Sequence, residues 1–199
     1  MNVGRALDQI AEIHQHLAKG EVYRGYRPLP MACSGVAGIA AAAMQPPALG
    51  WHDPIGFVLY WSGVAIVCGL IASSEIVHNY LVHEGTTERR RTRRVVGQFL
   101  PAMVAGALVT LTFLRVSPAL VATLPGVWSL FFGLGIFASR PYLPRASGWV
   151  ALFYFAAGVG LLWLSPTPVA RSPWSVGGTF GGGQLLAALV LYWNVERHD

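Results

Sequence analysis

The chain has 199 residues, 54% of them hydrophobic and only 12% Asp, Glu, Lys or Arg, with a net charge of +5 and a mean hydropathy of +0.49. Soluble domains carry roughly 25% charged residues, so an ordinary soluble domain and a disordered chain are excluded. Cys33 and Cys68 are too few for a disulfide framework. What remains is an all-α membrane protein about one domain long.

Residues 1–28 contain Asp8, Glu12, His14, His16, Lys19 and Glu21 and no apolar run of leader-peptide length, so no leader is expected. Leu7, Ile10, Ile13, His14 and Leu17 recur at helical spacing and Gly20 stands where a helix would stop. This predicts an amphipathic interfacial helix over 4–19, followed by the boundary run Tyr23-Arg24-Gly25-Tyr26-Arg27.

Residues 29–199 form the expected membrane domain. A hydrocarbon core about 30 Å thick needs around 20 mostly apolar residues per spanning helix. Six stretches qualify or nearly do: 29–43, 54–74, 95–114, 116–138, 148–164 and 174–193. The first and fifth are short, but Trp149 and Trp163 bracket the fifth as interfacial anchors. Asp53-Pro54, Ser117-Pro118 and Ser172-Pro173 each place a capping side chain before a proline, the signature of a helix start.

Six spans put both ends of the chain on one side. That side then holds twelve of the fourteen Lys and Arg residues, including Arg5, Lys19, Arg24, Arg27, Arg89, Arg90, Arg91, Arg93, Arg94, Arg140, Arg145 and Arg197, and leaves Arg115 and Arg171 outside. Positive residues stay cytoplasmic. The expectation is a polytopic six-helix bundle with cytoplasmic N- and C-termini in a plasma membrane of the bacterial inner-membrane type.

Chemistry-bearing residues are few. Glu75, His78, Asn79 and His83 fall within an arc of about 140° on one helix face at the end of the second span. A Glu-x-x-His pair can bind a metal in helical bundles, but only with further ligands from other helices. No other span contains Asp, Glu or His. No metal site and no cofactor are therefore expected, and a structural role at the interface outweighs a proton or ligand site. A membrane enzyme using Glu75 and His78 stands as a third reading.

The run Glu88-Arg89-Arg90-Arg91-Thr92-Arg93-Arg94, basic overall, sets topology, as a loop beside the third span, and attracts anionic lipid headgroups. Nucleic-acid binding is not expected without stacking aromatics or a recognisable module. The glycine-rich stretch Val176-Gly177-Gly178-Thr179-Phe180-Gly181-Gly182-Gly183-Gln184 lacks the ending of a phosphate loop and reads as a close-packing surface. Ser34, Gly38 and Ala42, and Ala102, Gly106 and Thr110, repeat small residues at four-residue spacing and suggest tight packing within or between copies. Gln98 and Gln184 are candidates for lining a polar cavity. An 81-residue offset aligns Val95, Gly97 and Phe99 with Val176, Gly178 and Phe180, but the other spans do not hold that offset.

Three functions are consistent with these features. The favoured one is a non-catalytic membrane subunit or anchor that docks a protein partner or membrane lipids through its cytoplasmic face. The alternative is a small oligomeric transporter or channel-like bundle, a homo-oligomer because six short spans enclose little interior. The favoured reading follows from spans too poor in charge for an ion-coupled carrier.

Overall fold

The structure, a computed structural model, describes residues 27–46, 53–82 and 86–196, with side chains for all of these except 75, 76, 79–82, 86–91, 195 and 196. The expected helix over 4–19 lies outside the described residues, as does His83. Among the described residues there are six α-helices: α1 (Pro28–Met44), α2 (Pro54–Val82), α3 (Thr86–Val116), α4 (Leu124–Ser139), α5 (Ser147–Trp163) and α6 (Pro173–Leu191). Short 3-10 turns at Pro118–Thr123, Arg140–Tyr142 and Pro168–Arg171 link α3 to α4, α4 to α5 and α5 to α6, and a π-helical turn, Tyr192–Glu196, extends α6.

Four segments are long and apolar enough to cross a membrane: Pro54–Ser74, Thr92–Val116, Pro118–Tyr142 and Pro173–Asn194. The other two helices, α1 and α5, have 17 residues each, about 26 Å of helix against a core of about 30 Å. These are the two segments that length alone already singled out.

Two helix boundaries differ from the sequence reading. The basic run is not a loop: α3 begins at Thr86, so Arg89 to Arg94 lie on its first turns. Residues 86–94 contain neither Gly nor Pro, and Arg is a good helix former, so nothing local stops the helix before water does. The stretch 116–138 is also not one helix. Ser117 is extended (φ −162°, ψ 126°) and Pro118 starts a separate 3-10 turn before α4, because proline lacks an N–H and disfavours helix in the residue before it.

Of the three expected caps, two form. The Asp53 carboxylate accepts from the Gly56 N–H at 2.8 Å and the Ser117 hydroxyl accepts from the Ala119 N–H at 3.3 Å. The Ser172 side chain makes no cap; instead the Ser175 hydroxyl reaches the Ser172 and Ala170 carbonyls at 2.8 and 2.9 Å.

The helices pack as antiparallel neighbours in the order α2, α1, α6, α5, α4, α3, and the contact between α2 and α3 is the slightest. The start of α1 and the end of α6 therefore share one end of the bundle. Two tight crossings build it. In the α1–α6 crossing, a Cβ on Gly35 would stand 2.9 Å from the Gly181 carbonyl oxygen and 3.0 Å from Leu185, and one on Gly181 would meet Gly35 and Ile39. The α4–α5 crossing repeats this reciprocity: Gly126 faces Gly158 and Leu162, and Gly158 faces Gly126 and Leu130. Each pair interlocks Gly-xxx-Leu or Gly-xxx-Ile, so backbones touch and dispersion contacts multiply where no hydrophobic force separates helix from lipid. The small-residue rows behave as expected: Ser34, Gly38 and Ala42 are buried on α1, while Ala102, Gly106 and Thr110 are buried on α3.

Between the crossings the interior is filled by rings. Phe132 packs on Phe99 (5.2 Å between centroids), Tyr154 (4.8 Å) and Phe180 (5.3 Å), joining α3, α4, α5 and α6. Phe57, Val58, Trp61, Val121, Leu124 and Val176 close the end near Asp53. The outside is apolar as well: Ile66, Leu70, Leu108, Leu111 and Phe137 are each about half exposed or more. Water would penalise so broad an apolar surface, whereas acyl chains would not.

Candidate functional site at the basic end of the bundle

The two ends of the bundle differ in charge. One end carries exposed Arg27, Arg93, Arg94, Arg140 and Arg145, with exposed His78 near the end of α2. The other holds Asp53, Arg115 and Arg171. Tryptophans mark both levels, with Trp149 71% exposed at the basic end and Trp163 81% exposed at the other, as amphipathic rings do at headgroup depth.

Tertiary packing brings two stretches of the basic end together. The Ser139 hydroxyl, buried at the end of α4, donates to the Val95 carbonyl of α3 at 3.4 Å. One helix turn deeper, a Cβ on Gly135 would meet the Phe99 ring at 2.7 Å, so α3 and α4 lie flush here. Arg94 and Arg140 are the residues directly beyond this bonded pair. The Arg140 guanidinium lies 5.9 Å from the centroid of the Phe137 ring. Its Nε and Cζ stand 3.3 and 3.4 Å from where a Gly148 Cβ would be. The glycine thus leaves a shelf at the start of α5 on which the arginine rests.

The sequence-derived candidates divide as follows. Glu75, His78 and Asn79 are all on the last turns of α2, and His78 is exposed. Among the described residues no three His, Cys, Asp or Glu side chains converge as a metal site. Arg89, Arg90 and Arg91 lie on the first turns of α3, followed by exposed Arg93 and Arg94. Gln98 is exposed on α3 and Gln184 is half-buried on α6; the structure does not join them. A shallow groove of about 390 Å³ lies on α3 around Pro101, lined by Gly97, Leu100, Val104, Ala105 and Leu108, and opens outward.

Polar groups inside the bundle bind one another. The Trp61 indole donates to the Gln45 side-chain oxygen at 2.7 Å, the Trp128 indole to the Thr110 hydroxyl at 2.8 Å, and the Tyr60 and Tyr154 hydroxyls to the Ala41 and Phe180 carbonyls at 2.6 and 3.2 Å. Each bond ties one helix to another. Cys33 is exposed and Cys68 half-buried, both as free thiols; Cys68 reaches the Ser34 carbonyl at 3.5 Å.

Sequence reasoning missed three parts of this arrangement. Arg140 and Arg145 count in the sequence only as topology markers, yet packing sets the end of α4, next to Arg140, against the α3 backbone next to Arg94. Gln45, just past the first apolar stretch, is not among the sequence candidates, yet it holds Trp61. Tyr154 was not singled out, although it carries a hydroxyl in the middle of an otherwise apolar segment, a signal that was available.

Fold and charge together define a protein whose described residues are helical, with four helices long and apolar enough to cross a membrane. Compared with protein-family models, curated proteins and solved structures, the chain matches none.

Proposed function

We propose that the chain is a non-catalytic membrane subunit or anchor that spans a plasma membrane of the bacterial inner-membrane type six times. In this reading both termini and the basic end are cytoplasmic, and the basic end is the docking face. The observation that carries it is the content of the interior. Among the described residues the buried polar side chains are Ser34, Gln45, Thr92, Thr110, Ser129, Ser139, Ser147 and Ser175, with the phenol of Tyr154, and none of them is Asp, Glu, Lys, Arg or His. Ion-coupled carriers place ionisable groups or unwound helix at mid-membrane, where charge is costly and kept only for use. Here α6, the helix richest in glycine, is continuous from Pro173 to Leu191, and Gly177, Gly181 and Gly183 are spent on contacts with α1, α2 and α5.

Reconstitution tests this reading. Liposomes containing the protein are expected to show the ion and small-solute permeability of empty liposomes, measured by salt-dilution potential and osmotic swelling. A flux that disappears in Gln184→Leu would establish a carrier and overturn the anchor reading.

A further inference from the structure

We propose that the corner where α3 begins and α4 turns into α5 binds the phosphodiester headgroup of an anionic phospholipid. The proposal rests on the membrane reading above and names the partner of its basic face. Its basis is the set of exposed guanidiniums of Arg93, Arg94, Arg140 and Arg145. The bond from the Ser139 hydroxyl to the Val95 carbonyl, 44 residues apart, brings the backbone next to Arg94 and the backbone next to Arg140 to one corner, and Arg93 and Arg145 lie at the same end of the bundle. A guanidinium matches two phosphate oxygens with its planar fork, which an ammonium cannot do.

Arg140 is held ready for this. It lies over the Phe137 ring at 5.9 Å, and Gly148 leaves the space that it occupies. The wall below is apolar: Phe137 and Leu134 of α4 are 50% and 48% exposed, and Trp149, next to Gly148, is 71% exposed. Charge above an apolar wall at tryptophan depth fits a lipid, headgroup against the arginines and acyl chain along α4. A free phosphate would make no use of the wall. Among the described side chains the one carboxylate, that of Asp53, stands at the opposite end.

The test titrates the full-length protein in dodecyl maltoside with phosphatidylglycerol or phosphatidylcholine and counts bound lipids by native mass spectrometry. Phosphatidylglycerol is expected to bind more tightly. A basic residue near the headgroups contributes a factor of about five. The triple variant R94Q/R140Q/R145Q should therefore weaken phosphatidylglycerol on the order of 100-fold and phosphatidylcholine, whose phosphodiester is balanced by its own choline cation, much less. R115Q/R171Q, at the other end, should leave the preference intact. Gly148→Leu keeps every charge but fills the shelf, and should weaken phosphatidylglycerol several-fold; it also decides the matter if the triple variant does not fold.

Three results would overturn the proposal: no preference for phosphatidylglycerol, equal losses from changes at both ends, or an unaltered preference in Gly148→Leu. Displacement of phosphatidylglycerol by millimolar inorganic phosphate would assign the site to a soluble anion instead. None of these results alters liposome permeability, so failure here and failure of the anchor reading are separable.

Discussion

Gly177→Ala should destabilise the bundle, and the structure sets the size of the effect. A Cβ at Gly177 would stand 2.5 Å from the Ala42 Cβ, 2.7 Å from the Gly38 carbonyl oxygen and 2.8 Å from the Trp61 Cη2. Ordinary carbon–carbon contact is about 3.5–4.0 Å, so relief requires a displacement of about 1 Å. No neighbour can supply it alone. The Gly38 oxygen is backbone, Ala42 has no rotamer to change, and Trp61 is 3% exposed and bonded to Gln45. Helix α1 must move as a body, which also opens the close Gly35–Gly181 approach, where a Cβ on Gly35 would stand only 2.9 Å from the Gly181 oxygen. A gap of about 0.5–1 Å forfeits a quarter to a half of each dispersion contact across the crossing. The expected cost is that of an overpacked core, about 1–3 kcal/mol.

Gly63→Ala is the control, because a Cβ there meets nothing within 4 Å. Replacing a helical glycine at an open site should instead stabilise by about 0.5–1 kcal/mol. Reversible unfolding in mixed SDS and dodecyl maltoside micelles, followed by circular dichroism, separates the two. Equal tolerance of both substitutions would refute the account of α1–α6 packing.

Tyr154→Phe loses only the bond to the Phe180 carbonyl and should cost about 0.5–1 kcal/mol, as intramembrane hydrogen bonds do, whereas Tyr154→Ala opens a cavity and should cost about 3–5 kcal/mol; the same unfolding assay checks the ranking. Gln45→Leu leaves the Trp61 indole N–H without its acceptor at 3% exposure, a loss of about 1–3 kcal/mol. That loss should shrink in a Trp61→Phe background, and a double-mutant cycle reads the coupling. The Ser34 hydroxyl is buried without a hydrogen-bond partner among the described residues, so Ser34→Ala should be neutral or slightly stabilising in the same titration.

Much of the fold is legible in the sequence. Runs free of charge in 54–74, 95–114 and 174–193 give the spans, and the proline-led caps at Asp53 and Ser117 form where expected. The fate of the glycines is not legible in the same way. Gly177, Gly181 and Gly183 are wedged against other helices, as their glycine-rich stretch suggests, but nothing along the chain marks Gly63, Gly69 and Gly97 as facing nothing within 4 Å. Nor does spacing along one helix show that Arg94 and Arg140 share a corner, since it is the contacts between α3 and α4, among them the Ser139–Val95 bond and the Gly135–Phe99 approach, that set their register there.

By itself the sequence determined that this chain is helical, apolar enough to cross a membrane, and basic at one side. Those properties follow from a local rule: every backbone polar group in hydrocarbon must be bonded within its own segment, and the segment must be apolar over the thickness of the bilayer. Tertiary structure decided which helices touch, which glycines are indispensable and where the arginines gather. In lipid the faces turned inward and outward are both apolar, so hydropathy carries no record of partner choice, and shape and hydrogen bonds make that choice instead.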